Sequence, residues 1–257
     1  MKTLVSFVIA AALLPAAGAG QNAWRVSQLA ISPPSTVAVF EGDALTGQSA
    51  RLAWSPDATE LYLQTRDGAF NAPGAPLRHF IVSAADGATR EVQGEPDWAL
   101  DYWTVKSSQV SPDDPSLRVK LKSERRRQQT TSIPTGGDLA RGGSAPTDES
   151  VDAAFSSQVV FTHTMTLHGK QVGQFENTVI VPGLTFGWGP PTSRLIAYAD
   201  PATGRVAVMD DDGARRHIDG TKDSLLPAWS PDGTRLAWVQ RDGRRKVLLQ
   251  VSRVERS

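Results

Sequence analysis

The chain has 257 residues, in which 27 Lys and Arg are balanced by 27 Asp and Glu, and it contains no cysteine. The lack of cysteine excludes disulfides, thiolate metal sites, a cysteine nucleophile and a lipid anchor on an N-terminal cysteine. The balanced charge gives no support to nucleic-acid binding by the molecule as a whole. At this length a buried core can hold the fold together without cross-links.

The first 19 residues have the features of a secretory signal peptide. Lys2 supplies a positive charge, an apolar run extends from Leu4 to Leu14, and small residues at 17–19 suit a cleavage site. The apolar run is about half of the roughly 20 residues that a membrane-spanning helix needs, so cleavage is favoured over an uncleaved anchor. We therefore expect a periplasmic or secreted protein whose residues 20–257 form one domain without a membrane span.

An internal repeat dominates the rest of the chain. The pentapeptide Ala-Trp-Ser-Pro-Asp occurs at residues 53–57 and again at residues 228–232. Each copy is followed by a Leu-led strand pattern and then by Arg-Asp-Gly, which begins eleven residues after the Ser in both copies. Repetition of one unit at this scale indicates a repeat architecture and says nothing about a ligand.

The repeated pentapeptide has the chemistry of a tight turn. Pro fixes its own φ, Asp accepts hydrogen bonds from backbone amides just ahead, and Gly233 can adopt the positive φ that closes the turn. Ala58 occupies the position of Gly233 in the first copy, so we expect that turn to close with a different geometry. The preceding Trp54 and Trp229 are large enough to fill the layer between neighbouring sheets, and we expect them in the core.

The remaining pattern is that of short strands joined by tight turns. Six Asp-Gly dipeptides, which suit hairpin turns, begin at residues 67, 86, 212, 219, 232 and 242. A third, degenerate copy covers residues 184–200, and its Trp188 precedes Trp229 by 41 residues, the length of a four-stranded propeller blade. The sequence therefore predicts an all-β chain of antiparallel meanders.

The middle of the chain departs from the repeat. Asp97 to Trp103 and Leu117 to Leu121 have strand-like composition, and residues 111–113, Ser-Pro-Asp, are either a degenerate repeat turn or a chance match. Residues 123–150 are polar and rich in Gly and Pro, which indicates a flexible insertion. Residues 158–177 then predict a hairpin around His168 and Gly169.

The period of the repeat predicts the size and closure of the fold. About five blades, or six if the middle hides one, would account for the chain. The last copy lacks a fourth strand, while Trp24 to Ile31 and Thr36 to Phe40 belong to no complete unit. Pairing of an N-terminal strand with the last blade would close the ring and cover an exposed edge.

At these motifs the chain resembles the TolB-like β-propellers, whose blades carry a Trp-Ser-Pro-Asp-Gly turn, a Leu-Ala-Phe/Trp strand and an Arg-Asp-Gly turn. The match is close over Trp229 to Gly243, good over Trp54 to Gly68 and partial over Trp188 to Asp200. With the adjoining strands it covers residues 52–94 and 184–251. The resemblance implies a fold and leaves the function open, because such blades occur in proteins with different roles.

No pattern in the chain predicts catalysis, and we assign no catalytic, cofactor-binding or metal-binding residue. A Gly-x-Ser-x-Gly elbow is absent, and Ser144 lies within the predicted insertion. His79, His163, His168 and His217 lack the spacing of a metal site, and the acidic run at 210–212 lacks the pattern of a calcium loop. The basic clusters at 118–127 and 241–246 are interpreted as solvated charge.

These observations favour a non-enzymatic periplasmic or secreted propeller that acts as a protein-binding or scaffolding module without a cofactor. Its partner would be another periplasmic or envelope protein, and the insertion at 123–150 is the candidate partner-specific element. The alternative is a carbohydrate-acting propeller enzyme or sugar binder with a channel-facing metal held by histidines. A third possibility is a stand-alone remnant of a larger propeller with no ligand.

Overall fold

The computed structural model describes residues 23–41, 51–66, 76–129, 155–177, 186–243 and 246–257. The predicted signal peptide, Ser144 and the greater part of the predicted insertion lie outside these ranges. Within them the chain forms mostly antiparallel sheets of three to five strands, which confirms the all-β prediction at this level. No helix of the described ranges is long and apolar enough to cross a membrane.

The first two sheets come from the first two thirds of the chain. Sheet 1 consists of β3 (Arg51–Trp54), β4 (Glu60–Arg66), β5 (Leu77–Ser83) and β6 (Thr89–Val92), paired in that order. Sheet 2 consists of β7 (Leu117–Gln129), β8 (Phe155–Leu167) and β9 (Lys170–Asn177). The strands β8 and β9 confirm the predicted hairpin around His168 and Gly169.

The other two sheets come from the last third together with the N-terminus. Sheet 3 consists of β10 (Phe186–Trp188), β11 (Ile196–Asp200), β12 (Arg205–Met209) and β13 (Arg215–His217). Sheet 4 consists of β14 (Ser224–Trp229), β15 (Arg235–Asp242) and β16 (Lys246–Arg256), joined by β1 (Leu29–Ile31) and β2 (Ser35–Glu41). A short 3₁₀ turn, Val26–Gln28, precedes β1.

The predicted pairing of the N-terminus with the last sheet is confirmed. Both β1 and β2 pair antiparallel with β16, with Leu29 opposite Arg256 and Phe40 opposite Val247. β1 and β2 therefore both pair with the same edge of β16. Sheet 4 lies beside sheets 1 and 3, and sheet 2 lies beside sheet 3. The described ranges contain four sheets, and a closed ring of about five blades stays a prediction.

The repeated turns have the predicted hydrogen bonds. Asp57 accepts from the Thr59 N–H and Asp232 from the Thr234 N–H, each at 3.1 Å. The backbone N–H groups of Ser55 and Ser230 also donate, to the carbonyls of Glu60 and Arg235, each at 2.9 Å. The expectation of a different geometry at Ala58 is wrong, because Ala58 has φ 58° and Gly233 has φ 73°. A short side chain tolerates the left-handed region at a cost of roughly 1–2 kcal/mol, and the hydrogen bonds that both copies of the turn share hold it there.

The Trp residues of the repeats are buried between sheets, as predicted. Trp54, Trp188 and Trp229 are at most 2 % exposed. The Trp54 indole donates to the Ala228 carbonyl of sheet 4 at 2.9 Å, and the Arg235 guanidinium lies 4.7 Å from the centre of a Trp54 ring. Each copy of the motif therefore contacts the other across the boundary between sheets 1 and 4.

Residues 111–117 are a degenerate repeat turn. Ser111 donates its N–H to the Leu117 carbonyl at 2.9 Å, and the Asp114 carboxylate accepts from the Ser116 N–H at 2.9 Å. Asp57 makes the same bond to the Thr59 N–H in the first copy. The strand before this turn is reduced to one bridge, Val110 opposite Arg118. Sheet 2 thus begins with a turn of the repeat type that is preceded by a single bridge in place of a first strand.

The predicted strand at Asp97 to Trp103 is wrong, because Asp97–Lys106 is a helix, α1. The sequence between Pro96 and Ser107 contains no Gly or Pro, and Ala99, Tyr102 and Trp103 share one buried face. The Tyr102 hydroxyl donates to the Trp229 carbonyl at 2.7 Å. The composition of the segment favoured a strand, and burial of one helical face against the sheets decides for a helix.

Candidate interaction surface

The histidines that could have formed a metal site lie apart. His79 Nδ1 is 2.6 Å from the Tyr62 hydroxyl, and His217 Nε2 is 2.7 Å from a carboxylate oxygen of Asp200. These pairs belong to sheets 1 and 3. The described ranges bring together no group of three or more His, Asp and Glu side chains that could hold a metal ion.

His163 is part of the core of sheet 2. Its ring stacks on Phe175 at a centroid distance of 4.7 Å and meets the edge of Phe186 at 5.9 Å. Burial lowers the pKa of His163 to about 4, because the charged ring is disfavoured away from water. The ring is therefore neutral at neutral pH and packs as an aromatic residue. His168 lies in the turn between β8 and β9.

The acidic run at 210–212 is paired with arginines. Asp211 pairs with Arg25, and its second oxygen lies 3.1 Å from the Arg194 guanidinium. Arg194 also pairs with Asp114 of the degenerate turn at 2.6 Å. The run thus connects the N-terminal segment, sheet 3 and the turn before β7, which is a structural role.

The strands β7 and β8 extend beyond the rest of sheet 2. They pair with each other over their whole length, from Leu117 opposite Leu167 to Gln129 opposite Phe155. The third strand, β9, is described as far as Asn177, which lies opposite Phe161. The residues 123–129, which the sequence assigns to a flexible insertion, are therefore strand, and the predicted insertion starts later than Ser123. The β-branched and aromatic residues of β8 compensate for the polar composition of this part of β7.

We call the segments 121–129 and 155–161 the ribbon. On the β7 side the last backbone bond outside the ribbon is the one from the Val119 N–H to the Gln109 carbonyl, at 2.8 Å. Among the described residues, no strand pairs with β7 on this edge after that point. Within the described part of the chain, this edge of the ribbon therefore has backbone donors and acceptors available for a further strand.

Successive side chains of β7 alternate between the two faces of the sheet. Leu117 and Val119 are buried against sheet 3, and Leu121 continues this face with 42 % of its surface exposed. Arg118, Lys120 and Lys122 lie on the opposite face and are all exposed. The apolar face thus emerges from the core as far as Leu121 and continues with Ser123 and Arg125, while the opposite face carries Lys122 and then Glu124.

The sequence alone predicts ordinary solvated charge for these cations and no functional role. The structure places them in register on one face of an incompletely paired sheet. The alternation of Arg118, Lys120 and Lys122 with Val119 and Leu121 was the available signal, since a strict period of two indicates a strand with two different faces. The second basic cluster is only partly described, with Arg241 and Lys246 exposed at the β15–β16 turn.

The solved structures to which the chain is similar include the following two. TolB from Acinetobacter baumannii is 15 % identical with a TM-score of 0.27, over 80 % of this chain and 54 % of that one. The β-propeller domain of Myceliophteria thermophila Cps50 (Swd1) is 11 % identical with a TM-score of 0.25, over 78 % of this chain and 82 % of that one. The chain thus spans about half the length of TolB.

No protein-family model matches the chain, and no curated protein matches it. The description of the fold therefore depends on the strand pairing of the chain itself.

Proposed function

We propose that this protein is a non-enzymatic protein-binding module of the β-propeller type, located in the periplasm or secreted, and that the ribbon is its binding element. One observation carries the proposal: among the described residues the ribbon is paired, beyond Phe161, only between β7 and β8, and it presents a half-exposed Leu121 beside the exposed cations Lys122 and Arg125. Two strands alone are marginally stable in water. A partner that adds a strand would stabilise the ribbon.

The polar side chains that could suggest an enzyme support this proposal, because they have structural partners. Asp57 and Asp232 accept hydrogen bonds from Thr59 and Thr234 within the repeated turns, at 3.1 Å each. Hydrogen bonds from Ser55 and Thr59 lower the pKa of Asp57, which suits a permanently charged turn residue and not a general acid. His163 is a core residue.

The proposal is tested by site-specific photocross-linking in cells. A cross-linking amino acid is placed at Leu121 on the ribbon or, as the matched control, at Val39 on β2, which is 52 % exposed. We expect a discrete protein adduct from position 121 and none from position 39. Absence of an adduct from position 121, or equal adducts from both positions, would contradict binding through the ribbon.

Location and chemistry have their own tests. The mature protein recovered from periplasm or medium is expected to begin near Gly20, and recovery of the uncleaved chain would contradict export by signal cleavage. Stoichiometric manganese, zinc or calcium in the purified protein would contradict a non-enzymatic module and favour a metal-dependent sugar site.

A further inference from the structure

Lys106 is the one lysine of the described ranges that is half-buried. The other lysines of these ranges are all exposed: Lys120, Lys122, Lys170, Lys222 and Lys246. Lys106 is the last residue of α1 and follows Trp103 by three positions and Tyr102 by four, so it extends the buried face of the helix. Lysine is rarely found on such a face, because burial of its charge is unfavourable. This side chain is therefore set apart from every other lysine that the structure describes.

The amine of Lys106 is held against a backbone carbonyl. Its Nζ donates to the carbonyl of Gly189, the residue directly after β10, at 2.6 Å. Burial lowers the pKa of Lys106 to about 8, and the Asp113 carboxylate opposes this shift in part. The cause is the loss of water around the ammonium group, which a neutral carbonyl replaces only partly.

The Gly189 carbonyl is available to Lys106 because the turn of the third copy is shifted. In the first and last copies, the carbonyl of the turn's Ser accepts a hydrogen bond from the N–H three residues later, each at 2.9 Å. In the third copy this bond moves by one residue and joins the Ser193 N–H to the Pro190 carbonyl at 3.1 Å. Gly189 stands in place of that Ser. The departure from the repeat therefore leaves its carbonyl as an acceptor for the amine.

Asp113 is the charged group that acts on this amine. It lies in the turn before β7, and its carboxylate also accepts from the Thr192 N–H at 3.3 Å. The next residue, Asp114, is paired with Arg194 at 2.6 Å. Two acidic residues of α1 lie on its exposed face, Asp97 and Asp101. The charge state of Lys106 is thus set by burial and by one carboxylate.

A half-buried amine of this kind is a nucleophile near neutral pH. At pH 7 an amine with a pKa of about 8 is neutral in about a tenth of the molecules, whereas an ordinary lysine is neutral in less than about 0.1 %. The neutral form attacks carbonyl carbon, and burial is a general way to prepare lysines for Schiff-base formation.

We propose that Lys106 is a covalent ligand site that takes small aldehydes as reversible imines, independently of partner binding through the ribbon. The amine nitrogen bonds to the aldehyde carbon, and a C=N bond replaces the C=O bond. The two hydrogens of the neutral amine leave with the carbonyl oxygen as water, so the step needs no oxidant or reductant. The neutral imine nitrogen carries no hydrogen and cannot donate to the Gly189 carbonyl. Occupancy of the site therefore loosens α1 from sheet 3.

The experiment uses the mature chain at pH 7 with limiting acetaldehyde as the probe and cyanoborohydride to reduce each imine as it forms. Peptide mass mapping gives the rate of ethylation at every lysine and separates it from that at the N-terminus. We expect Lys106 to react at least about tenfold faster than the exposed lysines, which are matched controls in the same molecule. A rate at Lys106 no higher than theirs would overturn the proposal. Lys106→Arg, which keeps a cation and N–H donors, is expected to lose the fast reaction.

A pH profile shows whether the neutral amine is the reacting form. Trace acetylation with acetic anhydride from pH 6 to 10 measures the reactivity of each amine. The reactivity of Lys106 is expected to level off above about pH 8, whereas that of the exposed lysines is expected to rise up to about pH 10. Parallel profiles for Lys106 and the exposed lysines would overturn the proposal.

The last arm of the experiment changes the carboxylate beside the amine. Asp113→Asn removes the charge that favours the ammonium form, so it is expected to raise the acetylation rate of Lys106 at pH 7 by about two- to fivefold. Asp101→Asn, on the exposed face of α1, is the matched control and is expected to leave that rate unchanged. A rate in Asp113→Asn equal to or below that of the wild type would overturn the assignment of the neutral amine as the reacting form.

Discussion

Ala58 and Gly233 occupy the same position in two copies of one turn, and both have a positive φ, 58° and 73°. Their surroundings differ. A Cβ added at Gly233 would lie 2.6 Å from Pro190 of the degenerate third copy. Alanine is thus accepted in the first turn, while in the last turn neighbouring Pro190 occupies the space.

The first prediction follows from this difference. Gly233→Ala is expected to lower the free energy of unfolding by about 2–4 kcal/mol, the sum of left-handed strain and overpacking against Pro190. Ala58→Gly is the matched control, and its effect is expected to stay within about 1 kcal/mol because relief of strain offsets the added freedom of the unfolded chain. Urea unfolding of the two variants measures both, and similar losses in both would contradict the role of Pro190.

The repeated turns were predictable from sequence because their structure is local. Ser55, Asp57 and the residues just after them form the turn among themselves, so the pentapeptide is sufficient to identify it. The pairing of β1 and β2 with β16 was predictable for a different reason. The last repeat has one predicted strand fewer than a full unit, and the predicted N-terminal strands belong to no unit. Because an unpaired sheet edge is unfavourable, the two are expected to pair.

The helix α1 and the length of β7 were not predictable in the same way. The face formed by Ala99, Tyr102 and Trp103 becomes a helical face only because sheets 1 and 4 are there to bury it. The polar half of β7 is a strand only because β8, far away in sequence, pairs with it. Both depend on tertiary context, which overrides local propensity. The candidate surface was missed with them, since the open edge is a property of the assembled sheet.

The second prediction concerns how α1 is attached. Tyr102→Phe removes the hydroxyl that donates to the buried Trp229 carbonyl and leaves that carbonyl with one partner fewer. We expect a loss of about 1–2 kcal/mol in the free energy of unfolding. Asp101→Asn, at the exposed neighbouring position, is the control and is expected to change stability by less than about 0.5 kcal/mol. Equal stability of wild type and Tyr102→Phe by urea unfolding would show that the helix is held by packing alone.

The third prediction is a pH dependence caused by His163. Its pKa is lowered to about 4 in the folded state, whereas the unfolded chain binds the proton near pH 6.5. The unfolded state therefore binds more protons between these values, so stability is complete above about pH 6.5, falls as the pH is lowered and levels off near pH 4.

The variant that isolates this dependence is His163→Phe. It retains the stack on Phe175 and removes the titrating group, so it is expected to unfold less readily than the wild type at pH 5, by about 1–2 kcal/mol. Near pH 7 the two proteins are expected to differ by less than about 1 kcal/mol. Urea unfolding from pH 4 to 8 measures the difference in stability. Parallel pH profiles for the two proteins would show that His163 does not cause the pH dependence.

The last prediction uses the lack of cysteine to test the N-terminal pairing. Ala30 lies opposite Glu255 in the β1–β16 ladder, and both side chains are exposed. Opposed residues in an antiparallel pair are about 4.5–5.5 Å apart at Cα, which suits a disulfide. The double variant Ala30→Cys with Glu255→Cys is expected to oxidise quantitatively and to gain roughly 3–5 kcal/mol, because the bond closes nearly the whole chain into one loop. Ala30→Cys with Arg253→Cys, two residues out of register, is expected to oxidise poorly. Thiol titration and urea unfolding with and without reductant give both results, and equal oxidation of the two pairs would mean that β1 does not hold the register seen beside β16.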